Sequence, residues 1–147
     1  MKIISHRGNL NGRIPEMENS PNYILSAVNC GYEVEVDVWS IEGKFKLGHD
    51  FPQHEVSVSW LKNLPLWCHA KNADALVELL DERIHCFWHE QDSYTLTSRG
   101  VPWCYPDKFI RGGITVIYNS PLDGYIENFP SDTLGVCVDF PNQWKVI

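Results

Sequence analysis

The 147-residue sequence predicts an α/β fold built on mostly parallel strands. Three observations carry this. Eight short apolar runs have strand character, at residues 2–5, 33–38, 45–49, 65–69, 83–89, 101–105, 114–118 and 134–139. Helical spacing is clear after only the first and fourth of them. Polar residues of related chemistry fall at the carboxyl ends of several runs, and parallel strands bring such ends to one rim. Eight strands with crossover helices predict a (β/α)8 TIM-type barrel. That fold typically takes about 250 residues, so the expectation is a reduced barrel in which several outer helices are shortened or missing. One domain spans residues 1–147.

The elements follow in order. Residues 2–5 are the first strand and end in His6-Arg7-Gly8. Residues 9–16 are rich in Gly, Asn and Pro and predict a loop. Asn19 or Ser20 caps a helix with Pro21 in its first turn. Tyr23, Ile24, Ala27 and Val28 hold helical spacing, and Gly31 stops it. Residues 34–38, V-E-V-D-V, alternate at the strand period, so Glu35 and Asp37 share a face. Glu42-Gly43-Lys44 is a turn, and the next strand ends in His49-Asp50.

Residues 56–60 alternate and suit a short strand or the start of a helical turn. A strand near 64–70 runs into Lys71. Residues 72–81 are the clearest helix, with Asn72 as cap and Leu76, Val77, Leu79 and Leu80 as its apolar residues. Beyond it the elements are short, with turns at 93–98 and 121–125. Strand faces around 83–139 lack helices to cover them. Loop aromatics (Trp88, Trp103, Phe109, Phe129, Phe140) or a second subunit are expected there, so a homo-oligomer is among the expectations.

Composition narrows the partners. The chain is 44% hydrophobic and carries a net charge of −7. No basic groove is evident, which excludes nucleic acid as a bulk partner. An anionic ligand needs positive charge from the site itself, and a metal ion is the simplest source. The five cysteines are scattered, with no CxxC, and read as reduced core residues. No run approaches membrane-spanning length and the first residues lack a signal-peptide pattern, so the expected location is cytoplasmic, without membrane insertion.

His6, the Glu35/Asp37 pair, His49 and His69 each fall at the end of a different expected strand. Glu35 and Asp37 are hard oxygen ligands for Mg²⁺ or Ca²⁺. A nitrogen from His69 shifts preference towards Mn²⁺. Histidine is the side chain suited to proton transfer near neutrality, so of His6 and His49 one can accept a proton while the other donates. Arg7 and Lys71 suit phosphate oxygens. Together these describe metal-assisted phosphodiester cleavage. Taken singly, each has a plainer reading: a solvated strand face, or an idle surface histidine. His54 and His85 keep that plainer reading, Glu16 and Glu18 are loop acids, and His89 beside Glu90 is a lesser candidate for the rim.

H-R-G at 6–8, M-E-N-S at 17–20, the helix ending at Gly31, V-E-V-D-V at 34–38 and G-H-D at 48–50 occur in that order. This succession resembles the glycerophosphodiester phosphodiesterase family. G-V-C-V-D-F-P at 135–141 is similar to that family's last strand, and L-W-C-H-A-K at 66–71 is a weaker match to its E-x-K strand. The resemblance implies His6 and His49 as general acid and base. It implies Glu35 and Asp37 as metal ligands with Glu18 beside them, Arg7 and Lys71 on phosphate, and Asn19 with Ser20 shaping the loop. Three departures stand out: Met17 replaces a proline, His69 replaces a carboxylate, and the chain is short. The expected function is therefore a metal-dependent phosphodiesterase acting on a small glycerophosphodiester-like substrate. A phosphate-ester binding module without turnover is the alternative, and a lyase forming a cyclic phosphate is a third reading.

Overall fold

A computed structural model describes residues 1–123 and 130–145. It is a mixed α/β structure: one ten-stranded sheet with a few short helices. The strands are β1 (Lys2–His6), β2 (Glu33–Ile41), β3 (Lys44–Leu47), β4 (His54–Val56), β5 (Leu66–Ala70), β6 (Cys86–Trp88), β7 (Tyr94–Leu96), β8 (Pro102–Cys104), β9 (Ile114–Ile117) and β10 (Gly135–Val138). The helices are α1 (Pro21–Asn29), α2 (Val58–Asn63), α3 (Ala73–Asp81) and α4 (Pro141–Trp144). No helix among the described residues is long and apolar enough to cross a membrane. Phe129 and the end of the turn expected at 121–125 lie outside the described residues.

Seven strands pair in parallel in the order β6–β5–β2–β1–β10–β9–β8. The expected eighth, at 45–49, is not one of them. β3 pairs antiparallel with β2, Val38 facing Leu47 and Ile41 facing Lys44. The cause is the turn. Glu42 and Gly43 both have positive φ, 52° and 73°, the backbone of a tight two-residue hairpin. A parallel partner needs a crossover of a dozen or more residues, which the two-residue turn excludes. β2 therefore pairs with β5 over Val34–Val38 and with β3 from Val38 onward, and the β3–β4 hairpin projects past the carboxyl end of β5.

The sheet curls strongly. Trp67 on β5 and Trp103 on β8 lie five steps apart in the strand order, yet their ring centroids are 5.6 Å apart. A flat sheet would separate them by about 24 Å at the usual spacing of about 4.8 Å per strand. The space between β6 and β8 is bridged by the β7 segment: Ser98 N donates to Cys86 O (2.8 Å) and Thr95 Oγ1 to Trp88 O (2.8 Å).

Alternation splits the apolar residues between two sides. Ile4, Trp67, Phe87, Trp103, Ile114, Val116 and Cys137 converge from six strands onto the concave side. Val34, Val36 and Val38 point outward and pack with Ile24, Ala27, Leu61, Ala75 and Leu79 from α1, α2 and α3. Each of those fully buried valines contributes roughly 1.5–3 kcal/mol. Trp103, expected as an outer cover, is thus an interior residue, while Phe140 packs outside on the cluster of Val136, Val138 and Trp144. The far half keeps exposed apolar side chains, Tyr94, Leu96 and Leu122 among them. Four of the five cysteines are buried and Cys30 is exposed, all as free thiols.

The helix caps fix the connections. Asn72 Oδ1 accepts from Ala75 N at the start of α3 and from Ser40 N, while its Nδ2 donates to Ser40 O. One side chain thus starts a helix and ties it to β2. Ser20 occupies the cap position of α1 with Pro21 as first residue, but makes no side-chain capping bond. Asn19 is used elsewhere.

Candidate active site at the carboxyl ends of the strands

A cavity of about 760 Å³ opens at the carboxyl ends of the parallel strands. His6, Arg7, Glu35, His49, His69 and Lys71 all line it, as do His89, Tyr105 and Tyr118. Register explains the convergence. His6 on β1 sits opposite Glu35 on β2, and Asp37 on β2 sits opposite His69 on β5. Because side chains alternate, Glu35, Asp37 and His69 all turn to the concave side.

Glu35, Asp37 and His69 bring one ligand atom each to within 4.8 Å of one another. His69 Nδ1 is 3.3 Å from Asp37 Oδ1 and 3.8 Å from Glu35 Oε1. His69 Nε2 lies 2.8 Å from the carbonyl oxygen of His89. A carbonyl only accepts, so Nε2 carries the proton and Nδ1 faces the two carboxylates. Anchoring a ring's outer nitrogen in this way is how metal-binding histidines are oriented. Glu35 Oε2 and Asp37 Oδ1 are buried without a hydrogen-bond partner among the described residues. Lys71 Nζ and His6 Nε2 stand beyond hydrogen-bond distance from these two oxygens, at 3.6 and 3.8 Å, so the oxygens and the inward ring nitrogen form a donor set that suits a proton or a metal ion. Burial and the Asp37 charge push the Glu35 carboxyl up. Burial would raise Asp37 too, but His69, Arg7 and Lys71 outweigh it and hold Asp37 well below the usual range.

Asn19 fixes Asp37 from below. Its Nδ2 donates to Asp37 Oδ2 (2.9 Å) and its Oδ1 accepts from Asp37 N (2.9 Å). The backbone of Asn19 is left-handed, φ 62°, a conformation Asn tolerates better than most residues.

Arg7 is buried among three acids. Its Nη1 donates to Glu18 Oε2 (3.2 Å), and its Nε lies 2.9 Å from Asp37 Oδ2. Burial alone would lower its pKa, but Asp37, Glu35 and Glu18 raise it, so the guanidinium stays charged. Expected on phosphate, Arg7 reaches the cavity wall with much of its fork already engaged. Glu18, expected beside the metal, accepts from Arg7, from Asn9 Nδ2 (2.9 Å) and from Arg13 Nε (3.1 Å). Arg7 bridges it to Asp37. Lys71 follows β5, and its Nζ is 3.6 Å from Asp37 Oδ1.

Each of the two histidines has Nδ1 on a carboxylate, buried for His6 and exposed for His49. His6 Nδ1 lies 2.8 Å from Asp139 Oδ1, and its Nε2 faces Glu35 Oε2 at 3.8 Å. Asn9 Nδ2 donates to the same Asp139 oxygen at 2.8 Å. Burial would raise Asp139, but the His6 contact and Asn9 lower it, so it remains a carboxylate. His49 Nδ1 lies 2.8 Å from Asp50 Oδ1. Burial first, then the Arg7 charge, lowers the His49 pKa below its usual value. His49 does not end a parallel strand, as expected; it reaches the cavity from the loop after β3. That loop needs Gly48: its φ is 152°, and a Cβ there would sit 2.0 Å from Phe51 O.

Three participants were not anticipated. Asp139 orients His6, and its position just past β10 follows the strand-end rule that identified the others. Asn9, in the Gly/Asn/Pro-rich loop after β1, joins Glu18 to Asp139. Tyr118, whose ring is 5.6 Å from His6, has its hydroxyl pushed up to about 12 chiefly by burial. His89 lines the cavity, whereas His54 and Glu16 do not.

Comparison with protein-family models, with curated proteins and with solved structures finds no match.

Proposed function

We propose that this cavity cleaves a small phosphodiester with the help of a divalent cation, on a sheet that forms a reduced (β/α)8 barrel. One observation carries the reading. Two histidines, each with Nδ1 on a carboxylate, border the same cavity as the Glu35–Asp37–His69 donor set. Glu35, Asp37 and His69 would hold Mg²⁺, Ca²⁺ or Mn²⁺, which when bound would supply charge neutralisation at the phosphate oxygens. With Nδ1–H donated to Asp139, His6 presents Nε2 for proton transfer. His49, its pKa lowered chiefly by burial, reaches the same cavity from the loop after β3 with Nδ1 beside Asp50. The histidine acting as base starts neutral and takes the nucleophile's proton, while the one acting as acid starts as the imidazolium and gives its proton to the leaving alkoxide, so the pair ends with its protonation exchanged. Lys71 and the free edge of Arg7 attract the anionic substrate. The nucleophile is water or a neighbouring substrate hydroxyl. Phosphorus NMR of the product distinguishes the two, since only the second gives a cyclic phosphate.

Turnover of a generic phosphodiester in a screen of Mg²⁺, Ca²⁺ and Mn²⁺ tests the reading. A wild-type rate no higher than that of a His6→Ala, His49→Ala double variant defeats it. Binding without turnover is favoured by one feature: Arg7 is largely occupied by Glu18 and Asp37. Calorimetry with a phosphate ester, showing the same affinity in wild type and His49→Ala and no product, selects that second reading. The exposed Tyr94, Leu96 and Leu122 suit a homo-oligomer, and light scattering tests this.

A further inference from the structure

The opposite end of the sheet carries a second cavity with the reverse charge. Its volume is about 400 Å³. It lies where the parallel strands begin, between Lys2 at the start of β1, Glu33 at the start of β2, Trp67 near the start of β5 and His85 just before β6. Four cationic side chains line it, Lys2, Lys62, Arg83 and Arg99, against the single carboxylate of Glu33. That carboxylate is already matched: Lys2 Nζ pairs with it and Trp67 Nε1 donates to Oε2 at 2.7 Å. In a chain of net charge −7, this concentration of positive charge is a local reversal. Lys62 pairs with Glu82, whereas Arg83 and Arg99 have no ion-pair partner among the described residues.

A second, independent feature points to a ligand. His85, which the sequence offered only as an idle surface histidine, is 6% exposed. Its Nε2 is buried without a hydrogen-bond partner among the described residues, and the residue lines this cavity. Its ring lies 4.3 Å from that of Trp67, which fixes its orientation. A buried ring nitrogen with no partner is costly unless something satisfies it. Burial, then Arg99, lowers the His85 pKa to about 4, so the ring is neutral near pH 7 and adds no charge to the cavity wall.

We propose that this cavity is a binding site for a small organic anion, its carboxylate or phosphate head set among Arg83, Arg99, Lys2 and His85. The walls from Leu64, Pro65, Trp67 and Val101 take an apolar body. The volume suits a ligand of a few to a dozen heavy atoms. This site shares no lining residue with the strand-end cavity. It therefore stands or falls independently of the proposed phosphodiesterase activity.

The test is a titration of the full chain with benzoate and, separately, with phenyl phosphate, followed by NMR of the His85 ring and the Trp67 indole N–H. Both residues line this cavity and neither lines the other; the His85 ring, which packs on Trp67, is the decisive signal. The proposal expects both to shift saturably with at least one of the two anions, and the preferred anion identifies the head group. It expects affinity at least about tenfold weaker in an Arg83→Ala, Arg99→Ala variant, since charge-assisted contacts are the strong ones. Both arginines are exposed, so the variant keeps the core. Neither signal moving at millimolar anion overturns the proposal. An unchanged affinity in the double variant overturns it as well.

Discussion

His6 Nδ1 and Asp139 Oδ1 stand 2.8 Å apart although 133 residues separate them in sequence. The contact joins the first strand to the last, since β1 and β10 are parallel neighbours with Ser5 opposite Val138. It also sets the tautomer of His6, leaving Nε2 for the cavity. Asp139→Asn keeps the shape and removes the charge that holds this arrangement. In a metal-supplemented phosphodiesterase assay its rate should fall by about 10²-fold or more, the scale of a positioned acid or base. His6→Ala should fall at least as far, and a rate unchanged in Asp139→Asn would separate the contact from catalysis.

Glu35 gives a prediction with opposite signs. Without metal, two buried carboxylates stand together beside His69 Nδ1, and burial and then the Asp37 charge push Glu35 up. Glu35→Gln should therefore raise the unfolding midpoint of chelator-treated protein. On the proposed cation site, Mg²⁺, Ca²⁺ or Mn²⁺ should stabilise wild type, by about 2.7 kcal/mol at a hundred times the dissociation constant, and the same substitution should abolish that gain. Thermal unfolding with and without metal measures both effects.

Gly48→Ala places a Cβ 2.0 Å from the Phe51 carbonyl oxygen at a φ of 152°. The strain should lower stability by roughly 1–3 kcal/mol and displace His49. Denaturant unfolding gives the first effect, and a loss of rate larger than the loss of folded protein gives the second.

His85 makes stability depend on pH. Its folded pKa is lowered to about 4, chiefly by burial, below the usual value of about 6.5. Between these values the unfolded chain binds a proton that the folded chain refuses. Stability therefore falls as pH drops from about 6.5 towards 4, by up to about 3 kcal/mol from this residue. Urea unfolding across that range should show a shallower slope in His85→Asn than in wild type.

The sequence made the strand positions and the acid pair legible because both rest on alternation. The period of two put Glu35 and Asp37 on one face, and the structure keeps them there. Long-range relations were less legible. Nothing near His6 announces Asp139, because strand order is not written in local spacing. The hairpin at Glu42-Gly43 was recognised as a turn, yet its consequence, an antiparallel β3, depends on positive φ at both residues. In α3 the apolar residues were found, but Val77 and Leu80 are 56% and 49% exposed while Ala75 is buried. Composition shows which residues are apolar; the docking angle of the helix decides which face meets the sheet.

Phosphodiester turnover in the presence of divalent cations tests the central claim most directly. Wild-type protein should cleave a generic phosphodiester with Mg²⁺, Ca²⁺ or Mn²⁺, should stop on chelation, and should lose about 10²–10⁴-fold in rate with either His6→Ala or His49→Ala. A folded wild-type protein whose rate equals that of the His6→Ala, His49→Ala double variant with every cation would contradict it.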